Sequence, residues 1–187
     1  MLEGQKNIYY VSGKTKEQAL NLPQMALLKK KGYDCLVLSE DVDEFMLQTL
    51  KDYDGVEFKS INQGNLDLLD EAEKENIKKI AEDNKDLLDT LKEDLKDDVV
   101  DVIISERLVD SPCCLTTKDG LSLEMEKVLE LNPNHDMFKH LVDLNNNNKD
   151  ELKELASYLY DSALIVEGLS PKDPVKFADY VCKLMLK

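Results

Sequence analysis

Tryptophan is missing from this 187-residue sequence, and aromatic residues of every kind make up only 6% of it. A packed core must therefore be aliphatic, built from Leu, Ile, Val and Met. The seven glycines stand singly, so no Gly-rich run is present to cradle phosphate groups. No apolar stretch reaches the length of a bilayer-spanning helix, and the opening Met1 to Asn7 has neither the basic nor the apolar region of a secretion signal. Cations are the minority charge: 24 Lys and Arg stand against 39 Asp and Glu, a net charge of −15. Such a chain repels phosphate backbones and anionic lipid surfaces, so neither nucleic acid nor membrane is an expected partner.

Convergent chemistry is also lacking. The cysteines Cys35, Cys113, Cys114 and Cys182 show no CxxC spacing and read as small buried hydrophobes in a reducing cytoplasm. His135 and His140 are five residues apart, which puts them on different sides of a helix and makes them a poor metal pair. There is no G-x-S-x-G elbow, and the carboxylates cluster on faces that read as solvated. The expectation is a chain with no catalytic, cofactor or metal residues.

What is there is an alternation of elements. Residues 1–66 read as a small α/β unit. Short β-rich runs (Ile8–Val11, Cys35–Leu38, Phe58–Ile61) are separated by helical patterns over about 15–31 and 41–52, which implies right-handed crossovers and a parallel sheet. Because the first strand begins almost at once, the chain reads as a piece of a longer protein. Residues 67–98 hold no Gly or Pro. Ile77, Ile80, Asn84, Leu88, Leu91 and Leu95 trace one stripe, predicting a single long acidic connecting helix, wet over most of its surface. Residues 99–187 read as an α+β domain. It has strands over 99–104 and 113–117 as neighbours, a short amphipathic helix from Leu121 to Leu131, an Asn145–Asn148 loop, and two closing helices over about 149–167 and 173–186. The fold class is mixed, α/β followed by α+β.

Two apolar surfaces stand out. The closing helices carry Leu152, Leu155, Leu159, Tyr160 and Ala163 on the first, and Val175, Ala178, Val181 and Met185 on the second. Together they are apolar over more of their girth than one mutual contact can bury. Either they pack onto the rest of the domain or they meet a second copy in a four-helix bundle. The other surface is Leu121, Met125, Val128 and Leu129, which share one face of the short helix. It is either core-facing or an exposed, adaptable contact surface.

Four collinear segments carry a resemblance. Ser105-Glu106-Arg107-Leu108-Val109-Asp110-Ser111-Pro112-Cys113-Cys114-Leu115 resembles the "SxRLxDSPxxL" run of the ninety-kilodalton heat-shock chaperones. Ile8-Tyr9-Tyr10-Val11 with Lys29-Lys30-Lys31-Gly32-Tyr33, Val42-Asp43-Glu44-Phe45 with Asp52-Tyr53-Asp54-Gly55, and Leu129-Glu130-Leu131-Asn132-Pro133-Asn134-His135 resemble further motifs of that family in the same order. The chain is thereby identified as a member, of the bacterial HtpG type, equivalent to the end of the middle domain plus the C-terminal dimerisation domain. The resemblance implies a homodimer through the final helix pair. It also implies contact with unfolded or partly folded client proteins through Phe45, with Gln48 one turn on, and through Leu121, Met125, Val128 and Leu129. The family's ATP and magnesium site and its catalytic loop would lie upstream, with the other domains of the same chaperone. With Lys187 the last residue and no MEEVD motif in the sequence, tetratricopeptide co-chaperones are not expected partners. Between the amphipathic segment and "LELNPNH" the sequence is about fifteen residues shorter than the family pattern. A structural spacer, with client binding confined to upstream domains, is the alternative function.

Overall fold

The computed structural model describes residues 4–64, 66–117 and 126–186. Strand β1 (Ile8–Ser12) is central in the first sheet, with β2 (Cys35–Leu38) and β4 (Val56–Ser60) parallel to it on either side. The expected parallel arrangement is therefore present. An antiparallel strand absent from the sequence reading, β3 (Asp52–Tyr53), pairs with β4 and makes the sheet order β2-β1-β4-β3. Its turn is legible in retrospect: Asp54 and Gly55 both have positive φ (52° and 77°), as a two-residue loop matched to the twist of a hairpin requires.

The helical pattern over 15–31 is two helices, α1 (Lys16–Asn21) and α2 (Met25–Lys31). Leu22 precedes Pro23 and is held extended, which ends α1. Gly32 closes α2 in the left-handed region, after three lysines that complement the helix dipole. Helix α3 (Asp41–Leu50) follows β2, with Glu40 at its cap. Tyr9, Val11, Leu22, Leu28 and Ile61 lie at the centre of this first core.

The connecting region departs from the sequence reading. It is two helices, α4 (Glu71–Asp83) and α5 (Lys85–Asp94), interrupted at Asn84, whose side chain bonds back to the Ile80 carbonyl at 2.8 Å. Leu87, Leu91 and Leu95 are buried in the second core. The apolar stripe thus packs inward, and α5 is part of the α+β layer rather than a solvated strut. Asp70 and Glu73 form a reciprocal capping box at the start of α4. Asp70→Ala is expected to cost about 1 kcal/mol, read as a shift in the denaturation midpoint.

The second sheet has the order β5-β7-β6, with β5 (Asp101–Ile104) parallel and β6 (Cys113–Thr117) antiparallel to β7 (Lys127–Leu131). The expected neighbours β5 and β6 are therefore separated by a strand that the sequence reading assigned to a helix. Helix α6 (Asp136–Asn147) runs through the asparagines expected to form a loop. Asn146 and Asn147 bond one turn back, to the Val142 carbonyl and to Asp143, and Asn145 reaches Asp86. Only Asn148 leaves the helix, where it caps α7 (Lys149–Val166). Helix α8 (Pro174–Met185) follows, started by Asp173 and by Pro174 in the first turn.

Candidate interaction surfaces

Helices α7 and α8 fall where expected, but their apolar residues divide into two sets. Leu152, Leu159, Tyr160 and Ala163 are buried in the chain's own core, beside Leu115, Leu129 and Leu141. Leu155 is half-buried against the same cluster. These positions are therefore not a free interface in the single chain, and the expectation that they await a second copy is corrected for the four buried ones. Helix α8 is different: none of its residues is buried. It meets α7 on an inner face where Phe177, Tyr180 and Val181 are half-covered, and the Tyr180 ring stacks on Tyr158 at 3.5 Å between centroids. Lys176 lies 5.8 Å from the same Tyr158 ring. Its outer face carries Val175, Ala178, Cys182 and Met185, spaced by three, four and three residues and all exposed. Val175 is 72% and Met185 78% accessible.

Phe45 sits on α3 and is 70% exposed, next to exposed Val42, Met46 and Leu50; Leu47 turns inward. The Gln48 side chain, Leu121 and Met125 lie outside the described residues. Val128 and Leu129 are corrected: both are buried in the central strand β7, where strand alternation and pairing on both sides leave neither available as surface.

Sequence reasoning missed the polar junction between the two sheets. Thr117, at the end of β6, accepts from the Gly64 amide at 3.3 Å and donates to the Asn62 carbonyl at 3.2 Å. Above it Arg107, 5% exposed, donates from Nε to Glu130 Oε2 at 3.0 Å. It also donates from Nη1 to the Ile61 carbonyl at 2.7 Å and from Nη2 to the Gly64 carbonyl. Glu130 additionally accepts from Ser105 Oγ at 2.7 Å and Thr116 Oγ1 at 3.0 Å. A second contact lies between α2 and the end of α7. Gln24, fully buried, donates from Nε2 to the Leu115 carbonyl at 2.9 Å and to Glu167 Oε1 at 2.8 Å. Burial pushes the Glu167 carboxyl up to about 7, the Gln24 bond opposing that rise. The signal that could have found Arg107 and Glu130 was their place inside the two family-like motifs.

Among the described residues no group of three or more His, Cys, Asp or Glu is placed to hold a metal ion. His135 caps α6, accepting at Nδ1 from the Met137 amide. Cys113 and Cys114 are buried, and that burial raises both thiols, Cys113 to about 12. Cys35 is half-buried and Cys182 exposed, so the expectation of buried thiols holds for two of the four. No helix of the described residues is long and apolar enough to cross a membrane.

Comparison with known proteins accounts for the whole sequence. The family model "Hsp90 protein" matches residues 1–129 and 120–187. The chaperone protein HtpG of Clostridium acetobutylicum is 44% identical over 200 residues, covering 99% of this chain and 32% of that relative. The HtpG proteins of Clostridium perfringens and Alkaliphilus oremlandii are 41% and 37% identical, with the same 32% of their lengths covered. The chain thus spans about a third of the length of these curated relatives. The two matched stretches overlap at 120–129, and alignments of 200 residues exceed the 187 of this chain. Both observations agree with the shortened stretch before β7.

Proposed function

The chain belongs to the Hsp90 protein family, and on that premise we propose that it is the homodimerising and client-binding portion of a molecular chaperone, without catalysis of its own. The observation that carries the reading is the outer face of α8, where Val175, Ala178, Cys182 and Met185 form an apolar seam that nothing among the described residues covers. A second copy presenting the same seam would bury both faces in a closed, self-complementary contact. The refined interface is α8 with the exposed Ile165 and Val166 at the end of α7, the buried residues of α7 serving as its foundation. Such a dimer would hold two upstream ATP-hydrolysing arms close, so that their encounter becomes intramolecular. Phe45 on α3 supports the client-binding half. The proposed setting is the cytoplasm, where the free thiols of this chain stay reduced.

Sedimentation of the chain at micromolar concentration should give a dimer. Val175→Glu combined with Met185→Glu should give a monomer of unchanged helix content, because each charge would have to enter the apolar seam without a partner. A parent chain that sediments as a monomer would remove the dimer from the proposal. Leu159→Glu does not isolate dimerisation, because that residue belongs to the chain's own core.

The burial of Val128 and Leu129 favours a second reading, in which the chain is a dimerising spacer and clients bind elsewhere. Comparing Phe45→Ser and Leu121→Ser with Met125→Ser in an aggregation-suppression assay on the longer protein separates the two. Suppression that none of these changes reduces would leave only the spacer.

A further inference from the structure

The exposed face of α3 sits in a stretch whose charge is far more one-sided than that of the rest of the chain. From Gly32 to Phe58 there are eight Asp and Glu and a single cation, Lys51. These 27 residues therefore hold nearly half of the whole net charge of −15. Within this acidic stretch Val42, Phe45, Met46 and Leu50 recur at helical spacing and all face solvent, and Tyr53 is exposed on β3 just beyond. Buried Leu47 holds the opposite side of the helix, so the apolar stripe has been left outside while the fold is satisfied.

We propose that this face takes cationic amphipathic segments of incompletely folded proteins, apolar side chains seating on the α3 stripe and flanking Lys or Arg residues meeting the acidic charge of the same stretch of chain. The assignment rests on the client-binding reading of Phe45 and names the class of client segment it prefers. The charge pattern decides among occupants. A second copy of this chain would bring an equally acidic surface against the first, and an anionic lipid surface would meet the same repulsion. A neutral apolar segment would use the stripe but not the charge. Only a cationic segment is complementary to both. The same field would raise encounter rates with such segments and would weaken as salt screens it.

The test uses two short peptides with identical apolar residues at helical spacing, one flanked by Lys and one by Glu, titrated against the intact chain with fluorescence anisotropy at low and high salt. The Lys-flanked peptide should bind roughly tenfold more tightly at low salt, with the gap narrowing at high salt. Phe45→Ser with Met46→Ser should weaken it severalfold; both residues are exposed, so the fold is expected to persist. Equal affinities for the two peptides would overturn the charge preference while leaving α3 as an apolar contact site. Lys-peptide affinity that the double substitution leaves unchanged would place the attraction in the chain's general acidity and overturn α3 as the client site. Failure of the Lys-flanked peptide to bind would overturn the proposal outright.

Discussion

Arg107→Met is expected to destabilise the chain by about 3–5 kcal/mol, the cost of removing one partner from a buried ion pair. Two separate losses produce it. Glu130, 2% exposed, loses its cationic partner, and among the described residues its remaining side-chain hydrogen bonds come from the Ser105 and Thr116 hydroxyls. The Ile61 and Gly64 carbonyls lose their guanidinium donors. The apolar replacement fills volume but supplies no donor. Because those carbonyls belong to the end of the first sheet while Glu130 belongs to β7, the variant should also loosen the junction. Amide exchange over residues 61–64 should accelerate more than exchange in α6. Adding Glu130→Gln to Arg107→Met removes the stranded charge and leaves groups that can bond both hydroxyls, so the double variant should recover a substantial part of the loss. Chemical denaturation of the three proteins reads this directly. A double variant no more stable than the single one would show that the charge is not what makes the site sensitive.

The same pair shows why part of the fold was hidden from sequence reasoning. The elements legible in advance are those with a strong local apolar signal: β1, β2 and β4 as short β-rich runs, and α7 and α8 by their dense apolar spacing. Strand β7 was not legible. Lys127-Val128-Leu129-Glu130-Leu131 carries a charge at a position that is fully buried, and Leu129 next to Val128 continues the helical face that Leu121 and Met125 begin. Only the arrival of Arg107, Ser105 and Thr116 from distant positions makes Glu130 acceptable inside a sheet, and no local window contains them. The asparagine run was misread for a related reason. Asn disfavours helix interiors through competing side-chain bonds, but in α6 those bonds are made to Asp86, Val142 and Asp143 without breaking the helix. In α4 and α5 the stripe is right at Ile77, Ile80, Leu88, Leu91 and Leu95, but it runs through Asn84, where the helix breaks, omits the buried Leu87, and leaves its destination open. Periodicity tells which residues share a face, and the partner that covers that face is a long-range fact. For the candidate surfaces the order is reversed: α8 was singled out for excess apolar area, and the structure transfers that excess from α7, which is satisfied, to the outer seam of α8, which is not.

Glu167 sets the second large effect, a stability that declines as the solution becomes less acidic. Its folded-state pKa, about 7, lies above the ordinary 4.5 because burial disfavours the carboxylate. Below about 4.5 the group is neutral whether the chain is folded or not, and it contributes no pH dependence. Between about 4.5 and 7 the unfolded chain releases the proton while the folded chain retains it, so stability falls with rising pH by about 1.4 kcal/mol per unit. Above 7 both states are ionised and the full cost, on the order of 3 kcal/mol, is in place. Glu106, also raised chiefly by burial, adds in the same direction. The contact geometry agrees with a neutral acid. Gln24 Oε1 is buried and has no hydrogen-bond partner among the described residues, while Gln24 Nε2 already donates to Glu167 Oε1. A protonated carboxyl can donate to that orphan oxygen and close an acid–amide ring; a carboxylate cannot. Lys14 bonds the neighbouring Gly168 carbonyl at 2.9 Å on the exposed side, and among the described residues no Lys or Arg is within ion-pair distance of Glu167. Glu167→Gln keeps the ring as an amide pair and removes the titration. Denaturation midpoints measured from pH 4.5 to 8 should therefore coincide for parent and variant at the acid end, with the variant pulling ahead until about pH 7 and holding a constant lead beyond. Parallel profiles across that range would mean that Glu167 ionises without cost where it sits, and the orphan oxygen of Gln24 would then need another donor.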